Sequence, residues 1–311
     1  MEHEESDYLI NNLEKEVDGY TIKWKKIQNS RSKVIENLRH INQQNVNLLY
    51  SLPVKKLSTT ARFENVSLLH DSIFIGGRYK KLERNISQTP WVINGIKKTK
   101  YSVSELIDEK LKLFFKADNT NFVASGREDA DVRMLGEGRP FSIELINPRI
   151  VTINEMQLKQ LSDEINSNKL VNVVQLKWIT KEELKKLKEG EEKKVKHYQC
   201  LCYASDIESE LKLNQLIADL PTNFDLLQDT PLRVLHRRSP MIRKKTIYSI
   251  NYHFIKPNFI LIKLQAEAGT YIKELVHGDM GRTLPNIKDL LQQKSMDLLE
   301  LDVTKIDLQW P

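Results

Sequence analysis

Apolar residues recur along this chain with two periods, and the switches between them mark the elements. In residues 1–60 Leu9, Ile10 and Leu13, then Val34, Leu38 and Ile41, fall at helical spacing in a stretch rich in Asn, Lys and Glu. That spacing predicts one or two helices, and residues 1–69 read as a helical N-terminal extension. From residue 70 the pattern changes. Residues 72–76 read as a short strand ending in two glycines. Ser102 with Glu105 forms a capping box ahead of a helix striped by Val103, Leu106, Ile107, Leu111, Phe114 and Phe115. Residues 121–124 and 141–145 read as strands on either side of a glycine-rich segment. Residues 154–167 read as a helix, 170–179 as a strand, 181–194 as a charged helix stopping near Gly190, 195–204 as a strand and 208–219 as a helix. Two long alternating runs, 241–255 and 259–267, flank Lys256-Pro257-Asn258 and predict an antiparallel hairpin. Helices open after Gly269 and after Pro285. Strands joined by hairpins with helices between them predict an α+β domain over residues 70–311, built on a mixed, mostly antiparallel sheet with flanking helices.

Composition narrows this picture a little. Of 311 residues 40% are hydrophobic, enough for a sizeable core, and the net charge of +6 suits a polyanionic partner. The two cysteines, Cys200 and Cys202, have no second Cys or His pair at zinc-ligand spacing, so no metal site is expected. The acidic start MEHEESDYLINNLEKE has no apolar core of a signal peptide, and no apolar run is long enough for a bilayer. The expectation is an intracellular protein, in nucleus or cytoplasm, monomeric and without a membrane partner.

Candidate chemistry gathers in three places. SGREDADVRMLGEGRPFSIELINPR, residues 125–149, crowds Arg127, Glu128, Asp129, Asp131, Arg133 and Arg139 around Gly126, Gly136, Gly138 and Pro140. Glycines permit tight turns or close approach to a ligand, and guanidiniums fit phosphate. The segment is either a catalytic loop with an acid at its centre or a surface turn whose charges pair internally. Asp129 and Asp131, two apart, would face the same way in extended backbone and perturb each other; such a pair could also serve glycosidic-bond chemistry. In AGTYIKELVHGDMGRTLPNI, residues 268–287, Lys273 falls in the first turn of a helix, where the macrodipole favours acids. It must be exposed or paired with a carboxylate. PLRVLHRRSPMIRKK, residues 231–245, carries Arg233, His236, Arg237, Arg238, Arg243, Lys244 and Lys245 with no acid among them. This is either a phosphate-contacting surface or a solvated face. A smaller cluster supplies Arg78, Lys80, Lys81 and Arg84. Tyr198 is a packing tyrosine or a platform for a flipped base, and Cys200 and Cys202 read as small packing residues.

GREDADVRMLGEGRPF and GTYIKELVHGDMGRTLPN, in that order, with GGRYKKLERNISQTPW, KHYQCL and TPLRVLHRRSP, resemble the pseudouridine synthases, in particular the archaeal and eukaryotic Pus-ten type of tRNA pseudouridine synthase. The resemblance spans residues 70–311. It implies the synthase catalytic fold with a central cleft, and isomerisation of uridine to pseudouridine in tRNA, at T-arm positions 54 and/or 55, with no cofactor. It places the catalytic aspartate at Asp129, with Lys273 as its charge partner in a dry pocket, Arg127 beside it and Tyr198 stacking on the base. Arg133, Arg139, Arg233, His236, Arg237, Arg238 and Tyr271 would contact the RNA. Members of this family carry an N-terminal RNA-binding module with paired C-x-x-C zinc ligands, and these 311 residues contain no such pair. Two other readings fit the same residues. One is a non-catalytic tRNA-binding or tRNA-folding protein that keeps the fold. The other is an N-glycosylase using Asp129 and Asp131, which would release free uracil.

Overall fold

A computed structural model describes residues 68–189 and 194–311. The one or two helices expected in residues 1–60 lie outside the described residues.

Strand β1 (Ile73–Lys81) runs well past the five residues expected of it. Its odd-numbered side chains, Ile73, Ile75, Tyr79 and Lys81, are all buried. A short hairpin, β2 (Val92–Ile93) and β3 (Ile96–Lys97), follows. It turns on Asn94 and Gly95, both at positive φ as a two-residue hairpin turn requires. Helix α1 (Val103–Phe115) starts at the expected capping box, with Ser102 and Glu105 bonded reciprocally, and buries Val103, Ile107, Leu111 and Phe115. Strand β4 (Asn119–Ala124) leads through an irregular loop into β5 (Arg133–Ile146). The remaining elements are α2 (Glu155–Asn166), β6 (Val171–Ile179), α3 (Lys181–Glu189), β7 (Lys196–Ala204), α4 (Glu210–Ile217), β8 (Phe224–Gln228), the hairpin β9 (Arg243–Lys256) and β10 (Phe259–Ala266), α5 (Ile272–His277), β11 (Thr283–Leu284), α6 (Ile287–Leu290) and β12 (Met296–Ile306).

The strands build one sheet in the order β11-β8-β9-β10-β7-β12-β5-β1-β6, with β4 on β5 as a branch. Only the β12–β5 contact is parallel, at Asp302↔Arg133 and Val303↔Met134. The sheet is therefore mixed and mostly antiparallel, as expected. Three of its strands, β8, β11 and β12, were not expected. In β12, MDLLELDVTKI, register shifts at Leu298/Glu300 and Val303/Lys305 break the inward and outward alternation that would have exposed it in the sequence.

β5 is the strand on which the rest depends. Its residues 141–146 pair with β4 and its first two with β12, so the loop between β4 and β5 leaves the sheet where one neighbour gives way to the other. Of the three glycines expected to turn around a ligand, Gly126 lies in the loop at positive φ, and Gly136 and Gly138 instead sit inside β5. Gly136 has φ +58°, and a Cβ there would lie 1.9 Å from Thr304 O of β12; at Gly138 it would lie 2.7 Å from Tyr79 O of β1. They admit neighbouring strands, not a ligand.

Tyr79, Phe122 and Phe141 pack with centroids 5.7–6.1 Å apart on the core face. On the opposite face the Arg78 guanidinium, 4% exposed, donates to the carbonyl oxygens of Glu137, Gly138, Ile306, Leu308 and Trp310. One cation thus ties the C-terminal segment to β1 and β5. Among the described residues no helix is long and apolar enough to cross a membrane, and no group of His, Cys, Asp or Glu could hold a metal.

Candidate active site

Three segments far apart in sequence converge on Asp129. The irregular loop from Arg127 to Val132 carries Asp129 and Asp131. A single 3₁₀ turn, Leu232–Val234, supplies Arg233. The first turn of α5 supplies Lys273 and Glu274. Arg233 Nη1 lies 3.0 Å from Asp129 Oδ2, and Lys273 Nζ lies 3.4 Å from the same oxygen and 2.7 Å from Asp131 Oδ2. Arg233 is oriented in turn by Glu274, 2.7 Å from its Nε and nearly enclosed. The result is an alternating row: Glu274, Arg233, Asp129, Lys273, Asp131.

Local structure explains each placement. Lys273 sits at an unfavourable helix end, and the two carboxylates facing it supply the acid partner that its position demands. The start of α5 is fixed by Gln228, fully buried at the end of β8. Its amide donates to Tyr271 O and accepts from Tyr271 N–H, both at 2.9 Å. Lys273 holds the Asp131 carboxyl below the usual range against the opposing effect of burial. Asp129 and Asp131 share one ammonium without extended backbone between them, because the loop turns at residues 130–131.

The expectation of a dry pocket is not met. The Asp129 side chain is 34% exposed and Lys273 21%. A cleft of about 1300 Å³ lined by Lys80, Lys177, Lys186 and the C-terminal tail contains none of the site residues. Asp129 instead lies at an open surface, and a ligand seated there would itself exclude the water.

Several expected RNA contacts are structural. Arg139, 1% exposed, donates to Glu128 at 2.7 Å and to Ser125 O at 2.7 Å. Arg133 grips Asp302 through two bonds, 2.9 and 2.7 Å, which pin the parallel β5–β12 junction. Arg139 is closed to a phosphate, and Arg133, its side chain 33% exposed, has Nε and Nη2 committed to Asp302. Of the smaller basic cluster, Arg78 and Lys81 are buried and Arg84 bridges Asp302 and Glu300. Arg127 is exposed and has no hydrogen bond or ion pair among the described residues. The guanidinium on Asp129 comes from Arg233, which was expected on the RNA. His236, Arg237 and Arg238 are exposed as expected, with Arg238 Nη1 3.4 Å from the Tyr271 hydroxyl. Tyr198 lies on the buried face of β7, 9% exposed. Burial pushes its hydroxyl up to about 12, partly offset by Arg139. Arg139, which acts on it electrostatically, pairs with Glu128 beneath the loop, and little of the residue reaches the surface. Cys200 and Cys202 are buried free thiols on the same face, both raised by burial.

Glu274 and Gln228 escaped the sequence reading, while Glu128 and Lys81, named there only as members of charged clusters, turn out to be buried beneath the loop. Glu128 is buried under the loop, accepting from Arg139 and from the Tyr79 hydroxyl at 2.9 Å. The signal for Glu274 was available. A basic run without an internal acid needs its counter-charge from elsewhere, and Glu274 is the neighbour of Lys273.

The family described as "Pus10, C-terminal" matches residues 74–307. The tRNA pseudouridine synthase Pus10 of Xenopus laevis is 39% identical over 283 residues, covering 91% of this chain and 54% of that protein. The protein of the same name from Mus musculus is 40% identical over 283 residues (91% and 53%). That from Pyrococcus furiosus is 35% identical over 242 residues (76% and 59%). The chain thus spans about half the length of the curated relatives it matches. With the matched segment running from β1 to the end of β12 and enclosing every residue of the Asp129 row, this chain belongs to the Pus10 family.

Proposed function

We propose that this chain isomerises uridine to pseudouridine in tRNA, at T-arm positions 54 and/or 55, with Asp129 as the reacting carboxylate. In this isomerisation the C1′–N1 glycosidic bond breaks, the uracil turns, and a C1′–C5 bond forms. The proton lost from C5 is balanced by one gained at N1, so no mass, electron or cofactor is exchanged. A carboxylate can assist by attacking the sugar or by taking its proton. Either role needs an ionised acid in fixed position, within reach of a base drawn out of its stack.

The observation that carries this reading is the placing of Asp129. In the matched family segment it is an accessible carboxylate held by two cations, Arg233 and Lys273, from parts of the chain over 100 residues away. The role of Lys273 is to hold Asp129 and Asp131 in register, and that of Arg233 is to orient the carboxylate from the other side. Tyr271, His236, Arg237 and Arg238 flank this row and are the groups offered to the RNA.

Asp129→Ala is expected to retain tRNA binding and to form no pseudouridine, read by carbodiimide-dependent primer extension on an unmodified transcript. Wild-type product from that variant would remove Asp129 from the role. Free uracil in the wild-type reaction would replace the isomerase with a glycosylase.

A further inference from the structure

Lys81 closes β1 with its side chain fully enclosed, a place lysine rarely takes unless its charge is satisfied. Its Nζ donates to the carbonyl oxygens of Ile86 at 2.8 Å, Asp129 at 2.9 Å and Ala130 at 3.3 Å. Three N–H donors meet three acceptors, so nothing remains for solvent or RNA. Two of those acceptors belong to the loop that carries the reacting carboxylate. The next residues continue the grip. Asn85 N–H donates to Ala130 O at 2.9 Å, and Arg84 Nη1 to Asp131 O at 2.8 Å. Three successive peptide carbonyls, 129 to 131, are thus held from the sheet side, while Arg233 and Lys273 hold the carboxylates from the open side.

Charged and titratable groups surround Lys81. Glu128 Oε1 lies 4.0 Å away and accepts from the Tyr79 hydroxyl, while Oε2 of the same carboxylate is held by Arg139. The carboxylates of Asp129 and Asp131 attract the ammonium, and Arg139 opposes it.

Granting Asp129 its proposed role, we infer that Lys81 is a positioning residue for the reaction, whose ammonium pins the peptide carbonyls of Asp129 and Ala130 and must stay charged to do so. A neutral amine has two N–H groups and a lone pair. It cannot serve three carbonyls, and its lone pair would face an oxygen. Burial brings Lys81 down to about 8, with Glu128 opposing the shift. The proton is therefore lost at mildly alkaline pH, and the loop loses an anchor. A misplacement of about 1 Å at a reacting group can cost about 10²-fold in rate.

The test is the single-turnover rate of pseudouridine formation between about pH 6.5 and about pH 9.5, with tRNA affinity measured in parallel, for wild type, Lys81→Arg and Lys81→Met. The wild-type rate is expected to fall above about pH 8, following the loss of one proton, at unchanged affinity. Lys81→Arg, which keeps its charge, is expected to give a flat profile whatever its absolute rate. Lys81→Met is expected to lose about 10²-fold in rate and to bind tRNA as wild type does. An alkaline limb that persists in Lys81→Arg, or a wild-type rate in Lys81→Met, overturns the inference while leaving Asp129 in place. Should Lys81→Met fail to fold, wild type against Lys81→Arg decides alone. A wild type that forms no pseudouridine at any pH sinks the proposed activity, and this inference with it.

Discussion

Lys273 serves two carboxylates at once, and its exposure decides what that is worth. A fully buried pair broken by removing one partner would cost about 3–5 kcal/mol. With Lys273 21%, Asp129 34% and Asp131 60% exposed, the pair belongs with partly solvated bridges worth about 0–1 kcal/mol. Lys273→Ala is therefore expected to leave thermal stability nearly unchanged while losing most of the activity. A large fall in melting temperature would mean that the pair supports the fold. The pH sign follows. The Asp131 carboxyl is depressed in the folded state, so its small contribution is present above the unfolded value near 3.9 and is lost as pH falls through the lower folded one. Removing Lys273 should erase that dependence. The residue types of this row were legible in the sequence because a lysine at a helix start calls for an acid. The identity of the guanidinium was not. Arg127 is adjacent in sequence to the loop acids, but the chain direction there turns it outward, and Arg233 arrives through the tertiary fold.

At the level of elements, the glycines of β5 carry the more severe constraint. Left-handed backbone at Gly136 costs a residue with a Cβ about 1–3 kcal/mol, and the 1.9 Å approach to Thr304 O forces β12 off its parallel partner. Overpacking of that kind adds about 1–3 kcal/mol. Gly136→Ala is expected to lower stability by several kcal/mol in denaturant titration. Gly95→Ala is the control, since Gly95 has a similar φ of +75° and nothing within 4 Å of its added Cβ, and it should cost only the turn strain. Equal losses in the two variants would mean that the β5–β12 contact is not the reason for the glycine. The same strands show where sequence periodicity reaches its limit. α1, α2, β6, β7 and the β9–β10 hairpin all fall within a few residues of their expected positions, because each has a clean period and a capping or turn signal. β12 has neither: its bulges, and the role of Asp302 as an internal partner for Arg133 and Arg84, give it the look of a surface segment.

For the molecule as a whole, a net charge of +6 says that cations are in excess, not where they are available. The structure withdraws many of them from solvent. Arg78, Arg133 and Arg139 hold strands and the C-terminal segment together, Arg84 and Lys81 hold the 129–131 loop, and Arg233 is committed to Asp129 and Glu274. Among the described residues, Arg127 in the Asp129 loop and His236, Arg237 and Arg238, which follow Arg233 in the chain, are exposed. Phosphate contacts made by such groups release counterions, so binding should weaken with salt in proportion to their number. Arg237→Ala with Arg238→Ala is expected to weaken tRNA binding at every salt concentration. Each contact removed should also reduce the slope of log affinity against log salt by about 1. Arg133→Ala should behave in the opposite way. Losing a bidentate bond to a nearly buried Asp302 at the parallel junction should lower stability and leave the salt slope untouched. If instead Arg133→Ala flattened the slope and the double variant did not, the RNA would lie along β5 and not across the 231–240 turn. The open side of Asp129, which faces that turn through Arg233, would then need another occupant.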